Sequence, residues 1–114
     1  MKYNYLGNTG LRVSELCLGS SIFGLNPERP ANIDEESAHK LLDAFVAKGG
    51  NFIDTSDWYQ RGVAEEIIGR WIESQPNFRR DQLIIASKTG FVSFVTRSKL
   101  SLDILIGEKI GLRY

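Results

Sequence analysis

Three side chains of the sequence combine residue types and positions that suit proton transfer. Asp54 directly follows a short run of bulky and β-branched apolar residues, which is typical of a strand buried on both faces. Tyr59 lies five positions further along, in a stretch rich in turn formers. Lys88 follows a second apolar run, Leu83–Ala86. Ionisable groups on loops that leave a rigid scaffold are common at sites of chemistry.

Together these residues could form a general acid–base site. A lysine at the end of a buried strand is costly unless it is paired, and Asp54 is a suitable partner. A held cation beside a phenol stabilises the phenolate and lowers the pKa of the tyrosine. Tyr59 could then exchange a proton with a carbonyl oxygen whose carbon receives a hydride. From the residues alone a structural interpretation stays open, in which Asp54 caps a turn, Tyr59 is a half-buried aromatic and Lys88 is a surface lysine.

The chain before Asp54 predicts a β-hairpin, a short strand and a loop. Residues 3–13 have hairpin character around Gly7-Asn8-Thr9-Gly10, since Gly and Asn tolerate the positive φ of tight turns. A strand over residues 16–18 ends at Gly19, Ser20 and Ser21. Small residues after a buried strand let a ligand approach the backbone, or simply form a turn. Residues 24–33 read as an irregular loop.

Two amphipathic helices flank the strand that ends at Asp54. The first has Asn32 or Asp34 as its cap, with Glu35 three residues after Asn32 as in a capping box, and Gly49-Gly50 ends it. The second follows Gly62 and ends near Pro76. Their apolar stripes are interpreted as core faces: Ala38, Leu41, Leu42, Phe45 and Val46 in the first helix, and Ala64, Ile67, Ile68, Trp71 and Ile72 in the second.

This order of elements predicts an α/β fold with parallel strands and right-handed crossovers. In parallel barrels the residues that follow the strands gather on one rim, where active sites lie. Gly19 and Ser20, Asp54, Tyr59 and Lys88 would therefore come together although they are distant in sequence.

Composition excludes several other classes of protein. The chain has 114 residues, 14 basic and 14 acidic side chains and a formal net charge of zero, so nothing indicates a nucleic-acid partner. One cysteine fits a reducing compartment. No stretch approaches the ~20 apolar residues of a membrane span, and no signal peptide is evident. We expect one soluble, cytoplasmic domain with no membrane partner and no metal site.

The order and spacing of several motifs resemble the aldo-keto reductases. The resemblance runs from the N-terminus to about Gly90 and implies an N-terminal hairpin plus the first three β/α units of a (β/α)8 TIM barrel, incomplete here. It also implies reversible, NADP(H)-dependent reduction of a small carbonyl substrate, an aldehyde or ketone. The absence of a Gly-x-Gly-x-x-Gly turn argues against a Rossmann site. The matching residues are Gly7–Ser14, Leu18-Gly19, Gly50–Thr55, Tyr59, Gly62, Glu65, Gly69 and Ser87-Lys88-Thr89.

The resemblance implies a role for each candidate residue. Asp54, Tyr59 and Lys88 correspond to three members of the family's catalytic tetrad. Tyr59 would be the general acid, Lys88 would lower its pKa, and Asp54 would hold Lys88. The nicotinamide end of the cofactor would lie near Asp54 and near the segment Gly19, Ser20 and Ser21.

The sequence also departs from the family pattern. The family's fourth catalytic residue is a histidine after the fourth strand, whereas His39 lies on the first helix and is interpreted as a helix-face residue. A complete barrel takes ~250 residues, and the segments that clasp the cofactor's phosphate and adenine belong to its last units. We expect a single partial domain over residues 1–114 with a divergent tail over residues 91–114, marginally folded and without turnover by itself.

Two explanations and two other functions stay open. The chain is either the product of a truncated or frameshifted reading frame or the N-terminal piece of a longer protein. It could also resemble the non-catalytic relatives that serve as β-subunits of potassium channels, which bind NADP(H) and a partner protein. The remaining alternative is an inactive fragment. The substrate and the oligomeric state are not determined by these residues.

Overall fold

The computed structural model describes residues 1–75 and 80–89. The predicted N-terminal hairpin is confirmed: strand β1 (Tyr3–Tyr5) pairs antiparallel with strand β2 (Arg12–Ser14). Gly7 and Gly10 take φ values of 53° and 75° in the connecting turn, in the left-handed region that favours glycine.

The hairpin packs beneath the amino-terminal end of the next sheet. The Tyr3 hydroxyl donates to the Gly49 carbonyl at 2.6 Å, and the Ser14 N–H donates to the Asn51 side chain at 2.7 Å. Since Gly49 and Asn51 lead into a strand that begins at Phe52, the hairpin lies at the opposite end of the sheet from the residues that follow that strand.

Three short strands form the parallel sheet. Strands β3 (Leu18–Gly19), β4 (Phe52–Asp54) and β5 (Ile84–Ala86) lie in the order β3-β4-β5, and both pairings are parallel, as predicted. Strand β3 begins later and is shorter than the strand expected over residues 16–18. The Ser14 hydroxyl donates to the Leu16 carbonyl at 2.6 Å, so this segment bends between the hairpin and the sheet and leaves Leu16 60% exposed.

Two helices connect the strands. Helix α1 (Glu35–Ala47) begins after Asp34, whose carboxylate accepts a hydrogen bond from the Ser37 N–H at 2.8 Å. The alternative capping box of Asn32 and Glu35 is wrong, because the Asn32 amide donates to the Gly24 carbonyl instead. Gly49, with φ 85°, ends the helix as expected. Helix α2 (Val63–Ser74) follows strand β4 and the turn after it.

The apolar stripes of the two helices pack against the sheet and form the core. One prediction was wrong: Leu41 is 37% exposed, since it lies on the flank of its stripe, about 100° from Leu42 around the helix. Phe45, Val46 and Ile72 pack against the core while remaining partly exposed. The buried cluster consists of Phe23, Ala38, Leu42, Ile53, Ala64, Ile67, Ile68, Trp71, Leu83 and Ile85.

Within the part of the chain that the structure describes, no helix has the length and apolar character needed to cross a bilayer. The predictions on Pro76 and on the tail over residues 91–114 lie outside the described residues.

Candidate active site

The carboxyl ends of β4 and β5 bring two of the three candidate residues together. Asp54, the last residue of β4, lies opposite Ala86, the last residue of β5. Backbone hydrogen bonds continue beyond the strands, from the Thr55 N–H to the Ala86 carbonyl at 2.8 Å and from the Asp57 N–H to the Lys88 carbonyl at 3.1 Å. Lys88 is therefore held in fixed register beside Asp54 although it follows the strand.

Asp54 is shared between a lysine and a tyrosine. The Lys88 Nζ donates to Asp54 Oδ1 at 2.6 Å and to the Thr55 carbonyl at 2.7 Å. The Tyr59 hydroxyl donates to the other carboxylate oxygen, Oδ2, at 3.3 Å. The Lys88 Nζ also lies 4.9 Å from the centroid of the Tyr59 ring. The structure thus places the carboxylate, the phenol and the ammonium in one connected group.

The charge of Lys88 is secured by its neighbours. Burial lowers the pKa of Lys88, but hydrogen bonds to Asp54 and Tyr59 and the attraction of these groups outweigh that effect and raise it. The side chains of Lys88 and Asp54 are 48% and 38% exposed, so the ion pair faces solvent. Lys88 therefore remains a cation beside the phenol throughout the neutral pH range.

Tyr59 begins a turn with an unusual backbone. Within the 3₁₀ segment Tyr59–Gly62, Gln60 and Arg61 have φ values of 49° and 57°, and Gly62 follows at 94°. Left-handed conformations at residues other than glycine cost on the order of 1–3 kcal/mol each, and they persist only where the surroundings hold them.

Gln60 is a residue that the sequence analysis missed, and it holds this turn. Its amide Nε2 donates to the Ser21 carbonyl at 2.8 Å, and its Oε1 accepts from the Asn26 amide at 3.1 Å. Gln60 therefore ties the loop after β3 to the turn that carries Tyr59. No sequence pattern signals it, because neither periodicity nor a glycine marks its left-handed conformation.

The segment predicted to contact the cofactor lies directly beside Asp54. Gly19 pairs with Asp54 across the sheet, and apart from its two chain neighbours no described residue lies within 4 Å of the point where a Cβ of residue 19 would stand. Ser20 is fully buried, and its N–H and its hydroxyl both donate to the Asp54 carbonyl at 3.0 Å. Ser21 is exposed. Gly19 and Ser21 therefore offer a surface that a flat ring could approach, while Ser20 positions Asp54.

A second set of hydrogen bonds joins the residues that follow β4 and β5 to one another and to helix α2. The Thr89 hydroxyl donates to Asp57 at 3.0 Å, and the Ser56 hydroxyl donates to the Lys88 carbonyl at 3.3 Å. The Ser87 hydroxyl donates to Glu65 of helix α2 at 2.7 Å. These contacts hold the backbone on both sides of Lys88.

His39 is remote from this group. Its Nε2 lies 3.1 Å from the Ile67 carbonyl and 3.7 Å from Glu35, so His39 is a helix-face residue, as predicted, and the structure adds that this face of α1 meets α2. Across residues 1–75 and 80–89, no group of histidine, cysteine, aspartate and glutamate side chains is arranged to hold a metal ion.

Comparison with known proteins identifies relatives over most of the chain. Norsolorinic acid reductase B of Dothistroma septosporum is 40% identical over 97 residues, which cover 82% of this chain and 24% of that protein. An NADP(+)-dependent aryl-alcohol dehydrogenase of Phanerodontia chrysosporium is 45% identical over 85 residues, which cover 73% of this chain and 22% of that protein. The chain thus spans about a quarter of the length of these relatives.

The fold of the chain is also similar to part of a solved structure. The holo form of an aldo-keto reductase from Bacillus halodurans superimposes with a TM-score of 0.69 and 26% identity, covering 93% of this chain and 37% of that one. The described part of the chain is accordingly a partial (β/α) TIM barrel, which agrees with the incomplete barrel expected from the sequence. The sequence profile of the Aldo/keto reductase family matches residues 15–103, and the chain belongs to this family of oxidoreductases.

Proposed function

We propose that this chain carries the proton-transfer residues of an NADP(H)-dependent oxidoreductase that reduces aldehydes and ketones to alcohols. The observation that supports this proposal is the sharing of one carboxylate, Asp54, between Lys88 at 2.6 Å and the hydroxyl of Tyr59 at 3.3 Å. A phenol linked in this way to a permanent cation is equipped to release and recover a proton.

Each residue has one role in the proposed reaction. Tyr59 transfers its hydroxyl proton to the carbonyl oxygen of the substrate as negative charge develops there. Lys88, 4.9 Å from the ring centroid, stabilises the resulting phenolate. Asp54 orients Lys88. It also accepts the hydrogen bond of the Tyr59 hydroxyl until a substrate oxygen takes the place of the carboxylate as acceptor. In the reverse direction the phenolate accepts the proton of the alcohol.

The proposal includes NADP(H) as the cofactor. Bound NADPH would supply the hydride that reaches the carbonyl carbon while Tyr59 protonates the oxygen. Gly19, Ser21 and Asp54 would hold its nicotinamide end, because the backbone at Gly19 is open and Ser21 is exposed. Ser20 would act through the Asp54 carbonyl. The NADP(+) dependence in the name of the aryl-alcohol dehydrogenase relative supports the choice of NADP(H).

The substrate would be a small carbonyl compound, and the same relative supports an aromatic one. A cytoplasmic location stays a prediction, based on the single cysteine. The 114-residue chain alone is expected not to turn over, because it spans about a quarter of the relatives' length.

The test joins residues 1–89 to the remaining part of the aryl-alcohol dehydrogenase relative and measures NADPH oxidation with benzaldehyde. We expect turnover in this chimera, and a loss of about 10²–10⁴-fold in kcat for Tyr59→Phe, the range found for a positioned general acid. Tyr5→Phe is the matched control, since Tyr5 is 68% exposed in the hairpin and should leave kcat unchanged. Equal activity of Tyr59→Phe and the parent chimera would contradict the proposal. NADPH binding without turnover in the chimera would favour the non-catalytic alternative.

A further inference from the structure

An open cleft of about 370 Å³ lies beside the Tyr59 turn, and none of the residues given a role in the proposed reaction lines it. Its volume falls within the range of roughly 300–1,000 Å³ that is typical of small-molecule sites. The walls come from the loop after β3 and from the residues on either side of Tyr59. The lining residues are Asn26, Glu28, Arg29, Trp58, Gln60 and Arg61.

The cleft combines two guanidinium groups with an indole. Arg29 and Arg61 are exposed, and within residues 1–75 and 80–89 neither side chain forms an ion pair. Glu28 carries the opposing charge, so the formal charge of the lining is positive. Trp58 is 52% exposed. Guanidinium groups match the planar geometry of carboxylates, and an exposed indole offers a flat surface for a ring.

The walls of the cleft are held by hydrogen bonds. The Asn26 amide donates to Gln60 at 3.1 Å, while the N–H groups of Glu28 and Arg29 both donate to Asn26, each at 2.9 Å. The left-handed backbone at Gln60 and Arg61 belongs to the same turn. The two arginines are therefore presented by joined loops rather than by independent segments.

We propose that this cleft binds a carboxylate on an aromatic carbonyl substrate, with Arg29 and Arg61 on the carboxylate and Trp58 against the ring. The inference rests on the proposed function and narrows its substrate class to anionic aromatic carbonyl compounds. An anion could also come from a cofactor phosphate. The substrate is favoured because three of the lining residues, Trp58, Gln60 and Arg61, adjoin Tyr59 in the chain. Gly19 and Ser21, which form the predicted cofactor surface, are not among the described residues that line the cleft.

The experiment titrates the ¹⁵N-labelled 114-residue chain with 4-carboxybenzaldehyde and with its neutral methyl ester, methyl 4-formylbenzoate. The chain contains two tryptophans, so its two indole N–H signals report separately on Trp58 in the cleft and on Trp71 in the core. We expect a saturable shift of the Trp58 signal while that of Trp71 stays in place. The acid should bind at least about 5-fold more tightly than the ester, as expected for exposed charge pairs.

Substitutions then assign the effect to the cleft. Arg29→Ala and Arg61→Asn should each weaken binding of the acid about 5-fold and leave the ester unaffected. Asparagine is chosen because it tolerates the left-handed backbone at residue 61. Glu28→Gln should tighten binding of the acid about 2-fold by removing repulsion. Lys40→Ala is the matched control, because it removes the same charge from helix α1 and leaves the cleft intact.

The outcomes separate this inference from the proposed function. Absence of a saturable Trp58 shift, or equal binding of acid and ester, would overturn the inference, whatever the chimera does with benzaldehyde. Arginine variants that weaken NADPH binding but not binding of the acid would overturn it in favour of a phosphate site. Arginine-dependent binding of the acid, together with a chimera in which Tyr59→Phe changes nothing, would support the cleft and contradict the proposed function.

Discussion

The two ends of the parallel sheet use similar side chains for different purposes. At the amino-terminal end, the Tyr3 hydroxyl donates to the Gly49 carbonyl at 2.6 Å and its ring lies 5.6 Å from the Arg12 guanidinium carbon. At the carboxyl end, the Tyr59 hydroxyl donates to Asp54 at 3.3 Å and its ring lies 4.9 Å from Lys88 Nζ. Both tyrosines therefore have a cation over the ring and a hydrogen-bond acceptor.

The acceptor makes the difference. A backbone carbonyl that receives a short hydrogen bond holds the Tyr3 proton in place, and the contact joins the hairpin to the sheet. The Asp54 carboxylate is also bound to Lys88, and its contact with Tyr59 is longer. The comparison shows that a cation beside a phenol is insufficient to identify an acid–base site; the network that connects the cation and the phenol must also be considered.

The largest expected effect on stability is a difference between one glycine at each end of the sheet, Gly50 at the amino-terminal end and Gly19 at the carboxyl end. At Gly50 a Cβ would overlap the Phe45 ring, whereas at Gly19 no described residue apart from the two chain neighbours is within 4 Å of the position of a Cβ. We expect Gly50→Ala to lower the free energy of unfolding by roughly 1–3 kcal/mol, as overpacking does, and Gly19→Ala to change it little. Urea unfolding of the purified chain measures both. A Gly19→Ala variant as unstable as Gly50→Ala would break the contrast between a structural end and a ligand-facing end.

A smaller effect should distinguish the two tyrosines. Tyr3→Phe removes a short hydrogen bond across 46 residues of chain, which should cost about 1 kcal/mol of unfolding free energy. Tyr59→Phe should cost less, because its hydrogen bond is longer and its carboxylate partner keeps Lys88. Thermal or urea unfolding of both variants against the parent is the measurement. A larger stability loss for Tyr59→Phe would indicate that its network serves the fold rather than chemistry.

The smallest effect concerns pH. Because the folded state raises the pKa of Lys88, the stabilising contribution of this lysine is complete below its unfolded pKa of about 10.4 and is lost as the pH rises through the higher folded value. We expect the difference in urea midpoint between the parent and Lys88→Met to be constant from neutral pH to about pH 10 and to shrink above it. The effect should be small, since the pair is exposed to solvent. A difference that already vanishes near neutral pH would contradict a permanent cation at this position.

Much of the framework could be read from the sequence because it depends on local patterns. Helical periodicity identified the core stripes, and glycines identified the hairpin turn and the end of α1. The gathering of Asp54, Tyr59 and Lys88 also followed from the order of the elements, since parallel strands bring their carboxyl ends to one edge. The errors arose where neighbours compete, as with Asn32, which donates to Gly24 rather than capping the helix.

The sequence by itself determined the family, the order of strands and helices, and the residue types available for proton transfer. Only the tertiary structure decided how those groups connect. It showed that Asp54 is shared by Lys88 and Tyr59, that Ser20 is buried against Asp54, and that Gln60 ties two loops together. The physical reason is that periodicity and turn propensity act over a few residues, whereas these hydrogen bonds join groups far apart in the chain and depend on the packing of the whole sheet.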